Sequence, residues 1–459
     1  MPNIDQVLKT ARRVHFIGIG GSGMCPLAEI LQTWGYEITG SDNNPGDNID
    51  HLRDLGVKVT LGQTADNIAG AELIVYTAAI LPDNPELLAA KGSGIPCFER
   101  AALFGALTRR FRNCIAVCGT HGKTTVTSML TQVLLMAGED PSAVIGGVLP
   151  LIGSHGRAGQ SETMVCEACE FNDHYLELSP DVAVILNVDE DHLEYFKNLD
   201  NIISSFRKFA SLTGRTLIYN GDDANTCAAV AGVEKEKITF GLAPANDYSA
   251  VNVTYERGSF AVFDVLHSGE IIAHLKLNIP GAHNVLNALA AFAAARHAGV
   301  SIADCEAGIA AFSGAGRRFE IHGTFRGITI ADDYAHHPNE LEATLTAAMQ
   351  MGYRTVWAVF QPFTYSRTAL LFDDFARVLQ IPDRCVMTEI MGSRERNTYN
   401  IYTADLAAKI PGSVWFNTFE EVVDYVLANA GAGDLVITLG CGDIYKAAKM
   451  MVQKLKAAD

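Results

Sequence analysis

The residues best suited to chemistry are seven consecutive ones at 119–125, which read Gly-Thr-His-Gly-Lys-Thr-Thr. The apolar run at 114–118 predicts a buried strand before them, and the apolar spacing over 126–136 predicts a helix after them. A glycine turn that leads into a helix presents backbone N–H groups to phosphate oxygens. In such a turn Lys123 reaches the terminal phosphates, and the Thr124 hydroxyl is placed to bind Mg²⁺. An ordinary strand-to-helix turn is the alternative, but the strand, the helix and the Lys-Thr-Thr run together favour a phosphate-binding loop.

We therefore predict that this loop binds ATP. Its spacing is shorter than that of the general nucleotide-binding pattern, because Val117 stands where that pattern has its first glycine. The ATP contacts predicted within the loop are Gly119, Thr120, His121, Gly122, Lys123, Thr124 and Thr125.

A second glycine loop lies near the start of the chain. A predicted strand at 14–17 leads into Gly-Ile-Gly-Gly-Ser-Gly at 18–23, and a predicted helix follows at 24–33. Another strand, at 37–39, ends at Gly-Ser-Asp, so that Asp42 stands about twenty positions past the glycines, where an acidic residue bonds a ribose hydroxyl. Alone, this pattern predicts NAD. Because another phosphate loop follows, we expect a nucleotide-linked substrate here instead, with contacts from Gly20, Gly21, Ser22, Gly23, Ser41, Asp42 and Thr77.

Composition limits the class of protein. The 459 residues suffice for roughly two to four domains, and 48% hydrophobic residues with 41 glycines fit α/β units joined by tight turns. The formal charge of −17 argues against nucleic-acid binding, which needs a basic face. Because we find no basic-then-apolar leader and no apolar stretch of membrane-spanning length, we expect a cytoplasmic protein that does not bind a membrane.

The ten cysteines are scattered through apolar strands, which predicts reduced thiols and no disulfide framework. Cys166 and Cys169 form one Cys-x-x-Cys pair, but no second pair follows at the spacing of a zinc site. We therefore expect neither a zinc site nor a redox site there.

Acidic and imidazole side chains follow two of the central strands. The strand predicted at 183–187 leads to Asp-Glu-Asp-His at 189–192, and the apolar segment at 163–166 leads to Glu167 and Glu170. Ligands of open α/β sheets collect at the carboxyl ends of strands. Both glutamates are therefore expected to face the phosphate loop.

The order of strand and helix patterns predicts three α/β domains. A new series begins near 113, and an alanine-rich helix opens at 281–288. The run Ser-Gly-Ala-Gly-Arg-Arg at 313–318 is typical of a linker, and a third series follows it, with strands expected at 329–331, 355–360 and 435–439. We predict domains at 1–110, 111–316 and 317–459.

Several motifs in one order identify a family. The phosphate loop, Glu167 and His192 occur together with three further motifs. These are His-Asn-Val-Leu-Asn at 283–287, Arg-Arg-Phe-Glu at 317–320 and Asp-Asp-Tyr-Ala-His-His-Pro at 332–338. On these residues the chain resembles the Mur ligases over essentially its whole length. The first glycine loop with Gly-Ser-Asp, the run at 332–338, and Gln-Pro at 361–362 before Tyr-Ser-Arg-Thr at 365–368 resemble the members that add L-alanine.

The resemblance implies a fold and a reaction. It implies an N-terminal Rossmann-like domain that binds a UDP-linked substrate, a central phosphate-loop domain that binds ATP, and a C-terminal Rossmann-like domain that binds the amino acid. The reaction implied is ATP-dependent, Mg²⁺-dependent ligation of L-alanine to UDP-N-acetylmuramate through an acyl phosphate. The products are ADP, phosphate and a peptidoglycan precursor, which belongs to cell-wall synthesis and thereby to cell shape and division.

The resemblance also assigns roles to residues. It makes Thr124, Glu167 and His192 metal ligands, and Lys123 the cation that screens the reacting anions. Each has a plainer alternative: Glu167 as a solvated carboxylate, His192 as a helix cap, and the asparagines at 283–287 as helix-start residues. It places His283, Asn284 and Asn287 next to the adenine, Arg318 on ATP and Asp332 on the ribose. It also makes His336 and Arg367 catalytic residues that contact the substrate.

Three positions depart from the family pattern. Sister ligases carry a carbamylated lysine some distance past the counterpart of His192, whereas this stretch reads Ser-Phe-Arg-Lys at 205–208, so a carbamate-dependent mechanism is not expected here. Phe363 stands where many relatives have a histidine. Cys169 replaces an acidic residue that is common after the metal-binding glutamate.

Three other functions stay open at this point. A related ligase adds a recycled tripeptide to the same nucleotide sugar. A dehydrogenase built on the first glycine loop would bind NAD and need no ATP. A non-catalytic ATP-gated protein would move without forming a bond. We expect the partners to be UDP-N-acetylmuramate and L-alanine, and the protein to be a monomer or a weak dimer.

Overall fold

The computed structural model describes residues 3–393 and 395–457, except for the side chain of Glu194. Two compact units are present. The first covers the described residues up to Ala250, with Val265–Ala273 and Leu286–Ile309. The second covers Val251–Asp264, His274–Val285 and the described residues from Ala310 onward.

The first unit begins with a five-stranded sheet in the order β3-β2-β1-β4-β5, in which all neighbours are parallel. The order reverses between β1 and β4, and such a switch point opens a ligand crevice at the carboxyl ends of the strands. The strands are β1 Arg13–Ile17, β2 Glu37–Asp42, β3 Lys58–Leu61, β4 Leu73–Tyr76 and β5 Cys97–Glu99. The helices are α1 Ile4–Thr10, α2 Cys25–Thr33, α3 Asp47–Asp54, α4 Pro85–Gly92 and α5 Arg100–Thr108, with a 3-10 helix at Ala65–Ile68.

The second sheet has ten strands in the order β15-β14-β13-β12-β11-β10-β6-β9-β7-β8. Its centre is parallel: β6 pairs with both β9 and β10. The strands are β6 Asn113–Cys118, β7 Ser142–Leu149, β8 Ser154–Arg157, β9 Thr163–Glu167, β10 Val182–Ile185, β11 Thr216–Asn220, β12 Glu236–Gly241, β13 Tyr248–Glu256, β14 Phe260–His267 and β15 Glu270–Pro280. The helices are α6 Lys123–Met136, α7 Leu193–Phe196, α8 Leu199–Leu212, α9 Ala224–Val230, α10 His283–His297 and α11 Ile302–Ala311, with a 3-10 helix at Phe171–Glu177.

The third sheet, in the second unit, has six strands in the order β16-β17-β21-β18-β19-β20. Only its β16–β17 pair is antiparallel. The strands are β16 Glu320–Phe325, β17 Ile328–Asp333, β18 Val356–Phe360, β19 Arg384–Thr388, β20 Val414–Phe416 and β21 Leu435–Leu439. The helices are α12 Pro338–Gln350, α13 Tyr365–Leu370, α14 Phe372–Val378, α15 Thr403–Ala407, α16 Phe419–Asn429 and α17 Tyr445–Ala457.

Both faces of the third sheet are buried. Along β18, Val356, Ala358 and Phe360 pack into one apolar cluster, and Trp357 and Val359 pack into another. Alternate residues point to opposite faces of a strand, so a continuous apolar run is what a sheet covered by helices on both sides requires. Three mostly parallel sheets with helices confirm the predicted α/β class, while the predicted domain boundaries stay predictions.

Most predicted elements are present with small changes of length. The strand expected at 37–39 continues to Asp42. The strand expected at 183–187 ends at Ile185, because Asn187 leaves the sheet to bind the phosphate loop. No regular element covers 313–318, as a linker requires.

The structure also describes the cysteines, the clusters of metal-ligating side chains and the apolarity of the helices. All ten cysteines are free thiols. Within residues 3–393 and 395–457, no three His, Cys, Asp or Glu side chains converge as a metal site. Among the helices of this described part, none combines the length and the apolarity needed to span a bilayer.

Close packing at Gly105 gives a test of the fold. A Cβ at Gly105, in α5, would lie 2.1 Å from the carbonyl oxygen of Glu177, whereas a Cβ at Gly92, in α4, would have nothing within 4 Å. We expect Gly105→Ala to lower the free energy of unfolding by about 1–3 kcal/mol, as overpacking does. Gly92→Ala should leave it unchanged or raise it slightly. Denaturant unfolding of both variants checks this, and equal stabilities would contradict the packing described.

Candidate active site

The phosphate loop joins β6 to α6, and glycines allow its path. Gly119 and Gly122 have φ of 142° and 87°, in a region that L side chains rarely adopt. Gly122 is the residue before α6, and a Cβ there would lie 2.5 Å from Oδ1 of Asn287. Thus one of the predicted adenine neighbours, Asn287, lies against the loop.

Asn187 and Asp189, just past β10, fix the loop. Asn187 Oδ1 accepts a hydrogen bond from the His121 backbone N–H at 2.8 Å, and Asn187 Nδ2 donates to the His121 carbonyl at 3.0 Å. The Asp189 N–H donates to the Thr120 hydroxyl at 2.9 Å, and a carboxylate oxygen of Asp189 lies 3.6 Å from Nε2 of His121. The loop is therefore held by side chain and backbone from the neighbouring strand end. The last predicted loop residue, Thr125, is partly exposed in the first turn of α6.

Lys123 folds back over the loop and is held by a buried carboxylate. Its Nζ donates to the carbonyl oxygens of Gly119 and Thr120 at 2.5 and 3.0 Å, and it lies 3.0 Å from Oε2 of Glu170. Burial would lower the pKa of Lys123, but nearby acidic groups, Glu170 first, outweigh it and raise the pKa. Lys123 is therefore a fixed cation at neutral pH.

Glu170 also bears on the departure at position 169. Burial raises the pKa of the Cys169 thiol to about 11, so this residue is neutral at pH 7. The negative charge beside Lys123 therefore comes from Glu170, which is 2% exposed.

Thr124 and Glu167 form an oxygen-rich corner beside the loop. The Thr124 hydroxyl donates to Glu167 Oε2 at 2.9 Å, and the Gly146 N–H donates to the same oxygen at 2.9 Å. Mg²⁺ commonly takes one or two protein oxygens and completes its shell with phosphate oxygens and water. A hydroxyl and a carboxylate in contact fit that pattern, and Glu167 is thereby not merely a solvated carboxylate.

His192 immediately precedes α7 and has a left-handed backbone conformation, with φ of 52°. Its ring packs edge-on against the ring of Phe171, with 4.9 Å between the centroids. Phe171 lies four residues past Glu167. Asp191 accepts the His192 backbone N–H at 2.7 Å, and its other oxygen lies 3.7 Å from His192 Nε2. Left-handed backbone at a residue other than glycine is uncommon and concentrates at functional sites.

The first glycine loop borders a cleft of about 540 Å³, which Gly21, Asp42 and Thr77 line. Both oxygens of Asp42 accept backbone N–H groups, from Gly20 at 3.0 Å and from Asn44 at 3.1 Å. Asp42 therefore closes the turn. Two further predicted contacts, Ser22 and Gly23, follow in the same loop before α2.

Ser41 is buried beneath the cleft. Its hydroxyl donates to Glu86 Oε2 at 2.7 Å, and Glu86 Oε1 lies 2.6 Å from Nε2 of His15. All three side chains are at most 2% exposed. Ser41 thus supports the cleft from within.

The second unit carries the remaining predicted residues. Asp332, 1% exposed, accepts from Nε of Arg317 at 2.8 Å and from the Thr438 hydroxyl at 2.5 Å. The guanidinium of Arg318 lies 4.9 Å from the ring of Tyr334. Asp332 therefore sits at the end of β17 in a fixed orientation.

Two further predicted residues, His283 and Asn284, are the first two residues of α10. A Cβ at Gly281 would lie 2.6 Å from Cε1 of His283, so the glycine makes room for this ring. Asn284 is buried, and its Nδ2 donates to the Pro280 carbonyl at 2.7 Å. Its amide thereby ties the helix start to the end of β15.

His336 and Arg367 lie near the N-terminal ends of α12 and α13. Nδ1 of His336 is 3.1 Å from both the Tyr334 carbonyl and a carboxylate oxygen of Glu340. Arg367 is in the first turn of α13, where Ser366 binds Glu395 through its backbone N–H at 2.8 Å. His336 is thus oriented by its neighbours.

The sequence did not single out Asn187 or Gly146. Asn187 could have been noticed, because a polar residue directly after an apolar strand lies at the ligand edge of a parallel sheet. Gly146 contributes a backbone N–H, and its missing side chain leaves room for the carboxylate, since a Cβ there would lie 2.5 Å from Oε2 of Glu167.

Three family models match successive parts of the chain. They are described as Mur ligase family, catalytic domain, at 13–112, Mur ligase middle domain at 117–295, and Mur ligase, glutamate ligase domain, at 317–442. Together they account for all three sheets in the order that the sequence predicts.

Full-length relatives agree. The UDP-N-acetylmuramate–L-alanine ligase of Caldanaerobacter subterraneus subsp. tengcongensis is 43% identical over 98% of this chain and 99% of its own. The enzyme of that name from Lachnospira eligens is 44% identical over 94% of this chain and 96% of its own. Among solved structures, the UDP-N-acetylmuramate–alanine ligase of Thermotoga maritima aligns with a TM-score of 0.84 at 28% identity, covering 97% of this chain and 100% of that one. The predicted resemblance is confirmed, and the chain belongs to the Mur ligase family.

Proposed function

We propose that this protein joins L-alanine to UDP-N-acetylmuramate with ATP, giving ADP, phosphate and UDP-N-acetylmuramoyl-L-alanine for peptidoglycan synthesis. The observation that carries the proposal is the contact of Thr124 with Glu167 beside a loop that holds Lys123. The names of the full-length relatives at 43–44% identity support the choice of substrates.

The proposed reaction has two steps. An oxygen of the muramate carboxylate bonds to the γ-phosphorus of ATP, and the bond to the bridging oxygen breaks as ADP leaves. The alanine amine then attacks the acyl carbon, and phosphate leaves with that carboxylate oxygen. Because two anions meet in the first step, the buried cation Lys123 stabilises the charge on the transferring phosphoryl group.

Mg²⁺ would be held by Thr124 and Glu167, with His192 as a ligand for a second ion. When bound, the metal neutralises charge on the phosphates. The residues of the chain have separate tasks: Asn187 fixes the loop, and Glu170 keeps Lys123 charged and oriented. ATP contacts from His283, Asn284, Asn287, Arg318 and Asp332, and amino-acid contacts from His336 and Arg367, are part of the proposal.

The first glycine loop is proposed to bind the UDP group. A dehydrogenase is disfavoured, because the full-length relatives at 43–44% identity are named as ligases and a second phosphate loop follows in this chain. A non-catalytic ATP-gated protein would need no second nucleotide cleft. We also propose a cytoplasmic location and a monomer or weak dimer.

The alternative, a ligase that adds a recycled tripeptide, has weaker support from the comparisons. A murein peptide ligase from Psychrobacter arcticus shares the fold, with a TM-score of 0.76 at 24% identity over 97% of this chain and 98% of its own. Sequence identity to relatives named alanine ligases is much higher.

ADP release tests the proposal directly. With UDP-N-acetylmuramate and ATP present, we expect L-alanine to give the fastest ADP release among a panel of amino acids and the recycled tripeptide. Glycine and serine should be disfavoured by only about 1–3 kcal/mol, since a methyl-sized difference contributes little binding energy. Preference for the tripeptide would support the sister ligase, and no ADP release with any acceptor would support the ATP-gated protein.

Lys123→Ala should abolish ADP release, because it removes the fixed cation at the phosphates. It also leaves Glu170 buried without its partner, so the double variant Lys123→Ala/Glu170→Gln serves to separate lost charge from lost stability. The matched control is Lys208→Ala, at an exposed position on α8. Full activity in a folded Lys123 variant would refute the assignment of the loop.

Arg367→Ala should raise KM for alanine on the order of 10- to 100-fold and leave KM for ATP within about twofold, because it removes a contact to the amino-acid carboxylate. The control is Arg377→Ala on α14, which breaks an exposed pair with Glu342 of α12. Steady-state ADP release gives both constants. A change in KM for ATP alone would show that Arg367 does not bind the alanine carboxylate.

A further inference from the structure

Arg100 stands where the first sheet presents its ligand edge. It follows β5 directly and is the first residue of α5. β5 pairs in parallel with β4, and β4 with β1, so these strands end at one edge. The glycine loop follows β1 at the same edge, where ligands of doubly wound sheets bind.

The guanidinium of Arg100 lies directly on the glycine loop. A Cβ built on Gly23 would be 3.2 Å from Nη1 and 3.4 Å from Cζ of Arg100. Within the part of the chain that the structure describes, the backbone N–H groups of Ser22 and Gly23 donate no hydrogen bond. A cation and two backbone donors therefore meet just before α2, whose N-terminus favours negative charge.

Among the residues that the structure describes, no carboxylate is bonded to Arg100. It forms neither an ion pair nor a hydrogen bond with them, and Cys169, Glu99 and Glu167 act on it only through space. Burial lowers the pKa of Arg100 in spite of these two carboxylates. Withdrawing a guanidinium from water without a bonded partner costs free energy, which an anionic ligand would return.

The neighbouring cleft needs such a cation. Its charged lining residues, among those described, are Asp42 and Asp83. Both carry negative charge, and the whole chain has a formal charge of −17. A diphosphate placed there is repelled unless a positive group lies close by.

We propose that Arg100 binds the diphosphate of the nucleotide sugar, with its paired N–H groups on phosphate oxygens beside the N–H groups of Ser22 and Gly23. This inference rests on the proposed function, which makes UDP-N-acetylmuramate the substrate. Arg100 is then a substrate-binding residue, and it leaves the muramate carboxylate available for ATP. The planar fork of arginine suits a phosphate better than the single ammonium of lysine does.

Calorimetry with four ligands tests this. Uridine, UDP, UDP-N-acetylglucosamine and UDP-N-acetylmuramate add the diphosphate, the sugar and the carboxylate in turn. Arg100→Ala should weaken the three diphosphate ligands by a similar factor, on the order of 10- to 100-fold, and leave uridine unchanged. Arg100→Lys should bind with intermediate affinity. The control is Arg109→Ala, at the other end of α5, which loses only an exposed pair with Asp5 and should bind all four ligands as the wild type does.

Each other outcome overturns the inference. A loss confined to UDP-N-acetylmuramate would assign Arg100 to the carboxylate, and an equal loss for uridine would indicate a structural role. Unchanged affinity in a variant that melts at the wild-type temperature and still binds ATP would remove Arg100 from the site while the proposed function stands. Failure of the wild type to bind any UDP ligand would refute the proposed function itself. If Arg100→Ala does not fold, Arg100→Lys decides by the same comparison.

Discussion

The parallel pairing of β6 with β9 and β10 is the constraint on which the candidate active site depends. It aligns Val117 with Glu167 on one side and Cys118 with Ile185 on the other, so three strands end together. From these ends come the phosphate loop, the Glu167 carboxylate and the Asn187 amide. A shift of register by one residue would turn Glu167 to the opposite face of the sheet and separate it from Thr124.

The cationic side chains near the proposed substrates differ in how they are held. The chain is strongly acidic, yet two of its proposed substrates, ATP and UDP-N-acetylmuramate, are anions. Lys123 is held by Glu170 and by two carbonyl groups, which fixes its position at the loop. Arg317 is fixed in a similar way by Asp332 and the end of β21. Arg100 differs from both, because its guanidinium lies on a glycine loop and no carboxylate among the described residues is bonded to it.

The sequence predicted the fold class, the two glycine loops and the strands that lead into them, because each depends on residues that are close together along the chain. It also predicted that Glu167 and Glu170 face the phosphate loop, since both lie at the carboxyl end of one strand. It did not predict that Asn187 clamps the loop, or that Ser41 is bound by Glu86 beneath the cleft. Those contacts depend on which strands and helices are neighbours, and apolar periodicity carries no information on strand order.

The most direct test of the account is the fate of the carboxylate oxygens of the nucleotide sugar. UDP-N-acetylmuramate with ¹⁸O in both oxygens of its carboxylate would be converted with unlabelled ATP and L-alanine, and the phosphate released would be analysed by mass spectrometry. If the carboxylate attacks the ATP phosphate held at Lys123, each phosphate carries one ¹⁸O atom. Phosphate without ¹⁸O, formed together with the alanine product, would contradict the acyl-phosphate route and the role given to the loop.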